Sequence, residues 1–143
     1  MKIVSALLFT LLSASAMCAE EESLTADQLT SLVEQVTAAQ NAVMRQGSTV
    51  EDADNLFAMY ADDFTYVHEV YGGTYTREGL YANTVRYLKS GGYTMEVDRY
   101  EILRMIPGKD AVAVEREENS GAIHLAVFEF DGGKVSRIIE YWE

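Results

Sequence analysis

The sequence predicts one α+β domain in which helices pack on a curved antiparallel sheet. Two observations carry this prediction. Helical periodicity occurs before residue 90, and three strand-like runs follow one another from residue 111 onward, separated by turns rich in Asn, Asp and Gly. The length of 143 residues and the hydrophobic content of 48% suit a single domain with a proper core. Helices followed by a run of strands are typical of the α+β class.

Two helices are predicted near the start of the domain. The first opens with the capping box Thr25-x-x-Gln28, carries apolar residues at helical spacing and is expected to end at Gly47. The second is expected to be capped by Ser48-x-x-Glu51 and has a clear amphipathic stripe. Two amphipathic helices in a row indicate one layer of the domain.

A third helix is predicted between a short strand and a longer one. Thr76 is its expected cap, the range 77–89 its expected extent, and Ser90-Gly91-Gly92 its stop. Its expected inward residues are Leu80, Thr84, Tyr87 and Leu88. The strands that we predict are 64–68 with a continuation into 69–70, 93–106, 111–118, 122–130 and 134–142, with a turn at Pro107–Asp110.

The strand 122–130 has apolar residues on both faces. One face carries His124, Ala126, Phe128 and Phe130, and the other carries Ile123, Leu125, Val127 and Glu129. This pattern predicts a sheet that is covered on both sides or that curls around a cavity.

The first 19 residues have the pattern of a secretory signal peptide, which leaves 20–143 as the domain. Lys2 precedes an apolar run that is too short for a stable membrane anchor, and small residues follow it. Cleavage after Ala16 or after Ala19 fits these residues. A lipoprotein with Cys18 as its first mature residue is less favoured, because Met17 is larger than such sites prefer. The mature protein is therefore expected in a bacterial periplasm or outside the cell.

Composition excludes several classes of function. The formal net charge of −12 disfavours binding to nucleic acid or to anionic membranes after the signal is removed. Two histidines and a lone cysteine provide no metal-ligand motif. There is no phosphate-binding glycine loop and no Gly-x-Ser-x-Gly elbow. We therefore expect no metal and no cofactor.

Several short segments of the sequence resemble the nuclear transport factor 2-like superfamily, and within it the SnoaL-like and ketosteroid isomerase-like proteins. These segments are Leu56–Asp63, His68–Glu69, Arg77–Gly79, Phe128–Val135 and Glu140–Glu143. The resemblance covers about residues 25–143. It implies a cone-shaped curved antiparallel sheet covered by three helices, with a pocket for a small hydrophobic ligand. It also implies a homodimer formed through the convex face of the sheet.

Three residues are candidates for acid–base catalysis. The resemblance places Glu69 where ketosteroid isomerases carry their general base, and a carboxylate in an apolar pocket has a raised pKa. His68 is its neighbour, and adjacent strand residues point to opposite faces, so one of the two is expected to line the pocket. His124 is the remaining histidine, and its ring suits proton transfer if its face is the concave one. Structural roles for all three remain open alternatives.

Further residues are candidates for binding the ligand. The resemblance implies that Trp142 lines the site, and Glu140 shares its face. Pairing of Glu140 with Arg137 or Arg99 is the structural alternative. The full set of ligand-binding candidates is Tyr60, Tyr66, Phe128, Glu140 and Trp142.

The sequence departs from the enzymes that it resembles. The oxyanion hole of ketosteroid isomerases needs a tyrosine and a protonated acid, and the matching positions hold Gln40 and Ala126. The Asp-Arg-Asp set of epoxide hydrolases of this fold is not apparent. Scytalone dehydratase-like chemistry, which uses two histidines with an acid and tyrosines, is only loosely matched. True steroid isomerisation is therefore not predicted.

The sequence leaves three functions open. The first is a cofactor-free isomerase or dehydratase that acts on a small hydrophobic molecule. The second is a non-catalytic protein that binds such a molecule, and the third is a dimerisation module, which is compatible with either of the others. For the dimer, the expected charged seam consists of Arg99, Glu101, Arg104, Glu115 and Glu117.

Overall fold

The computed structural model of the protein describes residues 23–69 and 72–142, so the predicted signal peptide lies outside the described residues. The helices are α1 (Ala26–Met44), α2 (Val50–Ala58) and α3 (Arg77–Lys89). The strands are β1 (Tyr60–His68), β2 (Gly73–Thr76), β3 (Tyr100–Pro107), β4 (Ala111–Glu118), β5 (Ile123–Asp131) and β6 (Lys134–Tyr141).

The six strands form one curved sheet in the order β2-β1-β6-β5-β4-β3. The run from β3 to β6 is antiparallel throughout, which confirms the predicted succession of strands. The pairing of β1 with β6 is parallel, so the sheet is mixed and not purely antiparallel. The α+β prediction with helices covering a curved sheet is confirmed.

Helix α1 covers the inner face of the sheet. Its capping box forms as predicted, with the Thr25 hydroxyl accepting from the Gln28 backbone N–H. The helix ends at Met44, three residues before the predicted Gly47, because Arg45 adopts an extended conformation. The buried residues of α1 are Leu29, Val33, Val36, Thr37, Asn41 and Val43.

The cap of α2 was predicted one residue too early. Thr49 is the N-cap, and its backbone N–H donates to the Asp52 carboxylate over 2.7 Å. The pair Ser48 and Glu51 has the same spacing, so the sequence offered two overlapping capping boxes.

The predicted strand 93–106 is wrong over its first half. Strand β4, its neighbour in the sheet, ends at Glu118, which pairs with Tyr100. The preceding residues bond instead to the end of α1: the Gln46 N–H donates to the Met95 carbonyl over 2.8 Å, and Arg45 bonds the Glu96 carbonyl over 3.0 Å.

Other differences concern the region around β1. This strand begins at Tyr60, four residues earlier than predicted, and it carries a register irregularity between Tyr60 and Thr65. Strand β2 was not predicted; it pairs with the end of β1 to form a hairpin.

In α3, no residue is fully buried, and Tyr87, predicted to face inward, is 50% exposed.

Only one face of β5 is fully covered. His124, Ala126, Phe128 and Phe130 are buried on the inner face, whereas Ile123 and Leu125 are largely exposed on the outer face. Of the two predicted alternatives, covering on both sides is not provided by the described residues at this strand, because the helices pack on the inner face.

Candidate functional site

The inner face of the sheet changes from apolar to polar along its strands. In the register, Val112, Phe128 and Ile138 form one cross-strand row, and the next row is Val114, Ala126, Glu140 and His68. Arg116 and His124 form the start of a third row. We call the buried apolar residues Phe64, Val112, Val114, Phe128, Phe130, Val135 and Ile138 the apolar half. We call His68, Arg116, His124, Glu140 and Trp142 the polar half.

A buried ion pair between Arg116 and Glu140 lies at the centre of the polar half. The two side chains come from β4 and β6, which flank β5. Ala126 is the β5 residue directly opposite Glu140, and its small side chain leaves room for Arg116 to reach across. Both charged residues are at most 2% exposed. The predicted partners of Glu140, Arg137 and Arg99, are wrong: Arg137 pairs with Glu129 and Arg99 with Glu118.

Both carboxylate oxygens of Glu140 accept hydrogen bonds. One accepts from Arg116, and the other accepts from the Tyr66 hydroxyl over 2.5 Å and from the Trp142 indole over 2.8 Å. Burial raises the pKa of Glu140, but the Arg116 charge and the two other donors outweigh burial and hold this pKa below its ordinary value. Glu140 is therefore an ionised, fully bonded carboxylate.

Arg116 continues the network toward α1. It donates to the Gln40 side-chain oxygen over 2.9 Å, and the Gln40 amide donates to the Tyr60 hydroxyl over 3.3 Å. Its guanidinium lies 4.0 Å from the centre of the Tyr100 ring and 5.4 Å from that of Phe128. Aromatic faces and a carboxylate thus compensate for the loss of water around the buried cation.

Both histidines stack on the single tryptophan. The ring centroid of His124 lies 4.0 Å from that of Trp142, and the ring centroid of His68 lies 5.6 Å from it, each nearly parallel to the indole. Because β6 lies between β1 and β5, the indole lies between the two imidazoles. His68 and His124 are both buried. The geometry therefore brings together two of the three predicted catalytic residues.

Glu69 occupies a different environment from His68. It is exposed at the end of β1, and its backbone N–H donates to the Glu140 carbonyl over 3.1 Å. Alternation along the strand explains the contrast, since His68 faces inward and Glu69 follows it.

The remaining predicted ligand-binding residues fall into two groups. Tyr66, Glu140 and Trp142 meet in the polar half through the hydrogen bonds described above. Tyr60 and Phe128 are core residues: Tyr60 stacks on Phe64 at 4.0 Å, and Phe128 is fully buried. Burial raises the pKa of Tyr60 and of Tyr66, with Glu140 raising Tyr66 further, so both hydroxyls stay protonated.

Sequence reasoning missed Arg116, the residue that organises the network. A signal was present, because Val112, Val114 and Arg116 alternate on β4 and the alternation places Arg116 on the inner face. The acid–arginine–acid set of epoxide hydrolases is not complete around it. Glu140 contacts Arg116, whereas Glu118, the next inward residue on β4, pairs with Arg99 over 2.7 Å.

A groove of about 380 Å³ adjoins the polar half. It runs from the outer face of the sheet to the start of β5. Its walls are formed by Arg104, Glu115, Ile123, His124, Leu125, Tyr141 and Trp142. The groove therefore joins the stacked histidine and tryptophan to the surface.

The described residues lack two features. Within 23–69 and 72–142, no cluster of three or more His, Cys, Asp or Glu side chains is arranged to hold a metal ion. Within the same ranges, no helix has both the length and the apolar character needed to cross a membrane.

Comparison with solved structures assigns the fold. The domain has the nuclear transport factor 2-like fold of the SnoaL-like and ketosteroid isomerase-like proteins, which confirms the predicted resemblance at the level of the fold. One similar structure is a SnoaL-like protein of unknown function from Burkholderia thailandensis, with a TM-score of 0.64 and 20% identity. The match covers 85% of this chain and 99% of that one.

Two further structures share the fold. An LEH-like epoxide hydrolase from M. tuberculosis matches with a TM-score of 0.60 and 19% identity over 82% of this chain and 84% of its own. A putative ketosteroid isomerase from Kribbella flavida matches with a TM-score of 0.58 and 16% identity over 82% and 79%. No protein-family profile and no curated protein matches the sequence.

Proposed function

We propose that the protein is an exported, cofactor-free enzyme that isomerises or dehydrates a small hydrophobic molecule by acid–base catalysis. The observation that carries this proposal is the stacking of His68 and His124 on Trp142, next to the buried Arg116–Glu140 pair. Two imidazoles beside an apolar ring provide the side-chain type that most often serves in general acid–base catalysis. Structures of the same fold include a putative ketosteroid isomerase and an epoxide hydrolase, which supports small-molecule chemistry.

In this proposal His68 transfers the proton and Glu140 positions the site. Glu140 is a poor proton acceptor, because both its oxygens are hydrogen-bonded and its pKa is lowered. His68 lies at the end of β1 on the inner face, and its ring stacks on the indole of Trp142, which forms part of the groove wall. Since Gln40 and Ala126 replace the oxyanion hole of the isomerases, a different donor must stabilise the developing charge. Tyr66 is bonded to Glu140, which leaves His124 for that role.

The test compares two neighbouring residues against a panel of enones and hydroxy-ketones. We expect His68→Asn to lower the turnover by about 100-fold, which is typical for loss of an acid–base group. We expect Glu69→Gln, an equally small change at the exposed neighbour, to have a much smaller effect. The reverse result would assign the proton transfer to Glu69. Absence of turnover by the parent protein on the whole panel would remove the enzymatic proposal.

One observation favours a second function, non-catalytic binding of a small molecule. The hydrogen bonds around Glu140 are all made within the protein: Arg116, Tyr66 and Trp142 donate to this carboxylate, as expected of a structural network. Native mass spectrometry of protein purified from its own host tests this function. A bound small molecule together with inactivity on the panel would support it, and an empty protein would count against it.

We also propose a homodimer that forms through the outer face of the sheet. The row Ile106, Ala113, Val127 and Ile139 makes an apolar strip across four strands, and Ile106 is 59% exposed. The ion pairs Arg104–Glu115 and Arg137–Glu129 neutralise charge near this strip in a strongly acidic protein. Arg99, expected in the charged seam, lies instead over the Trp142 ring at 5.6 Å.

Sedimentation velocity at micromolar concentration tests the dimer. We expect the parent to sediment as a dimer and Val127→Glu to sediment as a monomer, because a charge in the strip must be desolvated. Tyr87→Glu on α3 is the matched control, because Tyr87 is exposed but lies outside the strip. A monomeric parent would contradict the proposal.

A further inference from the structure

The indole of Trp142 fills the space between the two histidines. The rings of His68 and His124 lie at interplanar angles of 11° and 16° to it, so each imidazole covers one of its faces. The indole N–H donates to the Glu140 carboxylate over 2.8 Å. Two stacking surfaces and one hydrogen-bond acceptor thus surround the indole, as the walls of a binding site surround an aromatic ligand.

Trp142 is held less firmly than the groups that surround it. It lies one residue beyond β6, so its backbone is not part of the sheet. Its side chain is half-buried, whereas His68, His124 and Glu140 are buried and belong to strands. Rotation about the side-chain bonds of Trp142 therefore moves the indole without breaking a pair of strands.

The groove beside the polar half offers the indole a second position. Trp142 forms part of the groove wall, together with the apolar residues Ile123 and Leu125, which are 52% and 44% exposed. An indole that swings into the groove covers this apolar surface, which is favourable in water. The Trp142 side chain therefore has two places to rest, one between the histidines and one in the groove.

Departure of the indole would leave a site with defined chemistry. His68 and His124 would each present a ring face, and one Glu140 oxygen would keep only the Tyr66 hydroxyl as a donor. The Arg99 guanidinium, 5.6 Å from the centre of the indole ring, favours an electron-rich ring at this place. The ionised carboxylate and the net charge of −12 disfavour an anionic ligand.

We propose that Trp142 is a displaceable internal occupant of a binding site. The molecule that displaces it is a flat, neutral, electron-rich aromatic with one N–H or O–H donor for Glu140, such as an indole or a phenol. Because this ligand competes with the indole side chain, its affinity for the parent protein is reduced. The proposal goes beyond the proposed function, and its tests measure displacement and binding rather than turnover.

The first test follows the indole itself. Trp142 is the single tryptophan, so its side-chain N–H gives one resonance in the spectrum of the ¹⁵N-labelled protein. We expect unlabelled indole to move this resonance saturably toward the position of a solvent-exposed tryptophan. Binding of indole that leaves the resonance unchanged, or no change up to the solubility limit of indole, would overturn the proposal.

The second test removes the internal competitor. We expect Trp142→Ala to bind indole at least tenfold more tightly than the parent in isothermal titration calorimetry. Tyr141→Ala is the matched control, because Tyr141 is the neighbouring aromatic residue and borders the groove but lies outside the stack. This control should gain no affinity. An equal gain in both variants, or no gain in Trp142→Ala, would overturn the proposal.

A milder variant keeps the test decisive if Trp142→Ala does not fold. Trp142→Phe retains an aromatic ring but lacks the N–H that bonds to Glu140, so it competes less well with a ligand. We expect it to bind indole more tightly than the parent does. An unchanged affinity in a folded Trp142→Phe protein would overturn the proposal.

The third test examines the hydrogen-bond donor. Benzofuran has the bicyclic shape of indole but carries an oxygen in place of the N–H. We expect Trp142→Ala, or Trp142→Phe in its place, to bind indole about tenfold more tightly than benzofuran, because the Glu140 carboxylate requires a donor. Equal binding would overturn the ligand class. If indole displaces Trp142 but the ketone panel is not turned over, the proposed catalysis fails and this proposal stands.

Discussion

The two halves of the inner sheet face are built from the same strands but are stabilised in different ways. In the apolar half, Val112, Phe128 and Ile138 are completely buried, and their apolar side chains form no hydrogen bonds. In the polar half, a charged pair is equally buried and depends on hydrogen bonds in place of apolar contacts. The comparison teaches that burial alone does not identify the core of this fold. One continuous sheet can therefore carry a fully packed apolar half and a polar half that adjoins a groove.

The largest expected effect comes from breaking the buried pair. Arg116→Met leaves the Glu140 carboxylate buried without its cation, and we expect the free energy of unfolding to fall by about 3–5 kcal/mol. The matched control is Arg137→Met, which breaks the partly exposed pair with Glu129 and should cost at most about 1 kcal/mol. Urea denaturation measures both. Equal losses would show that the polar half is not a distinct region.

A double variant sharpens the same test. Replacing both members of the pair, as in Arg116→Met with Glu140→Leu, removes the uncompensated charge. We expect this protein to regain part of the stability that Arg116→Met loses, although Tyr66 and Trp142 then lack their acceptor. The electrostatic interpretation would be contradicted if the double variant lost more free energy of unfolding than the two single variants lose together.

The polar half should make stability depend on pH. The pKa of His124 is lowered from 6.5 in the folded state by burial and by Arg116, although Glu140 and Glu118 oppose the shift. Below pH 6.5 the unfolded chain therefore binds a proton that the folded protein resists, so stability should fall as the pH drops from 7 to 5. His124→Gln should flatten this part of the profile. An unchanged profile would contradict a neutral buried imidazole.

Glu140 should add a second decrease at lower pH. Its folded pKa lies below the ordinary value of 4.5, so the stability that it contributes is present above pH 4.5 and is lost as the pH falls through the folded value. Urea denaturation of the parent and of Glu140→Gln between pH 5 and pH 3 separates this contribution from that of other carboxylates.

The smallest expected effect lies in the apolar half. Ile138→Val removes one buried methylene group from a fully packed site, and we expect a loss of about 1 kcal/mol in the free energy of unfolding. Ile139→Val, at the next position on the half-buried outer face, should lose less. Neither change should alter ligand binding, because neither residue belongs to the polar half or to the wall of the groove. A binding defect in Ile138→Val would extend the site into the apolar half.

The sequence predicted most of the fold but only part of the site. The strands β4, β5 and β6 follow from alternation and turn residues, which are local signals. The start of β3 and the existence of β2 depend on which strand lies alongside, as at the Tyr100–Glu118 pairing, and no local pattern contains that information. Tyr87 was placed inward from helical spacing, but α3 packs too loosely to bury it.

The site depends on contacts between residues that are far apart in the sequence. The resemblance pointed to His68 and Trp142, and His124 was identified as the remaining histidine, but their stacking requires β6 to lie between β1 and β5. The pairing of Glu140 with Arg116 depends on the small side chain of Ala126 on the intervening strand. Local alternation can place Arg116 on the inner face, but it cannot identify Glu140 as its partner.

The central claim is that a small neutral molecule binds at the polar half beside the indole. Trp142 is the single tryptophan of the chain, so its fluorescence reports this place alone. The decisive measurement is a titration of the parent protein with the enone and hydroxy-ketone panel while this emission is followed. The account predicts a saturable change with at least one compound, weakened by His124→Gln and unaffected by Ile139→Val. An emission that stays constant for every compound, or a change that His124→Gln leaves intact, would contradict it.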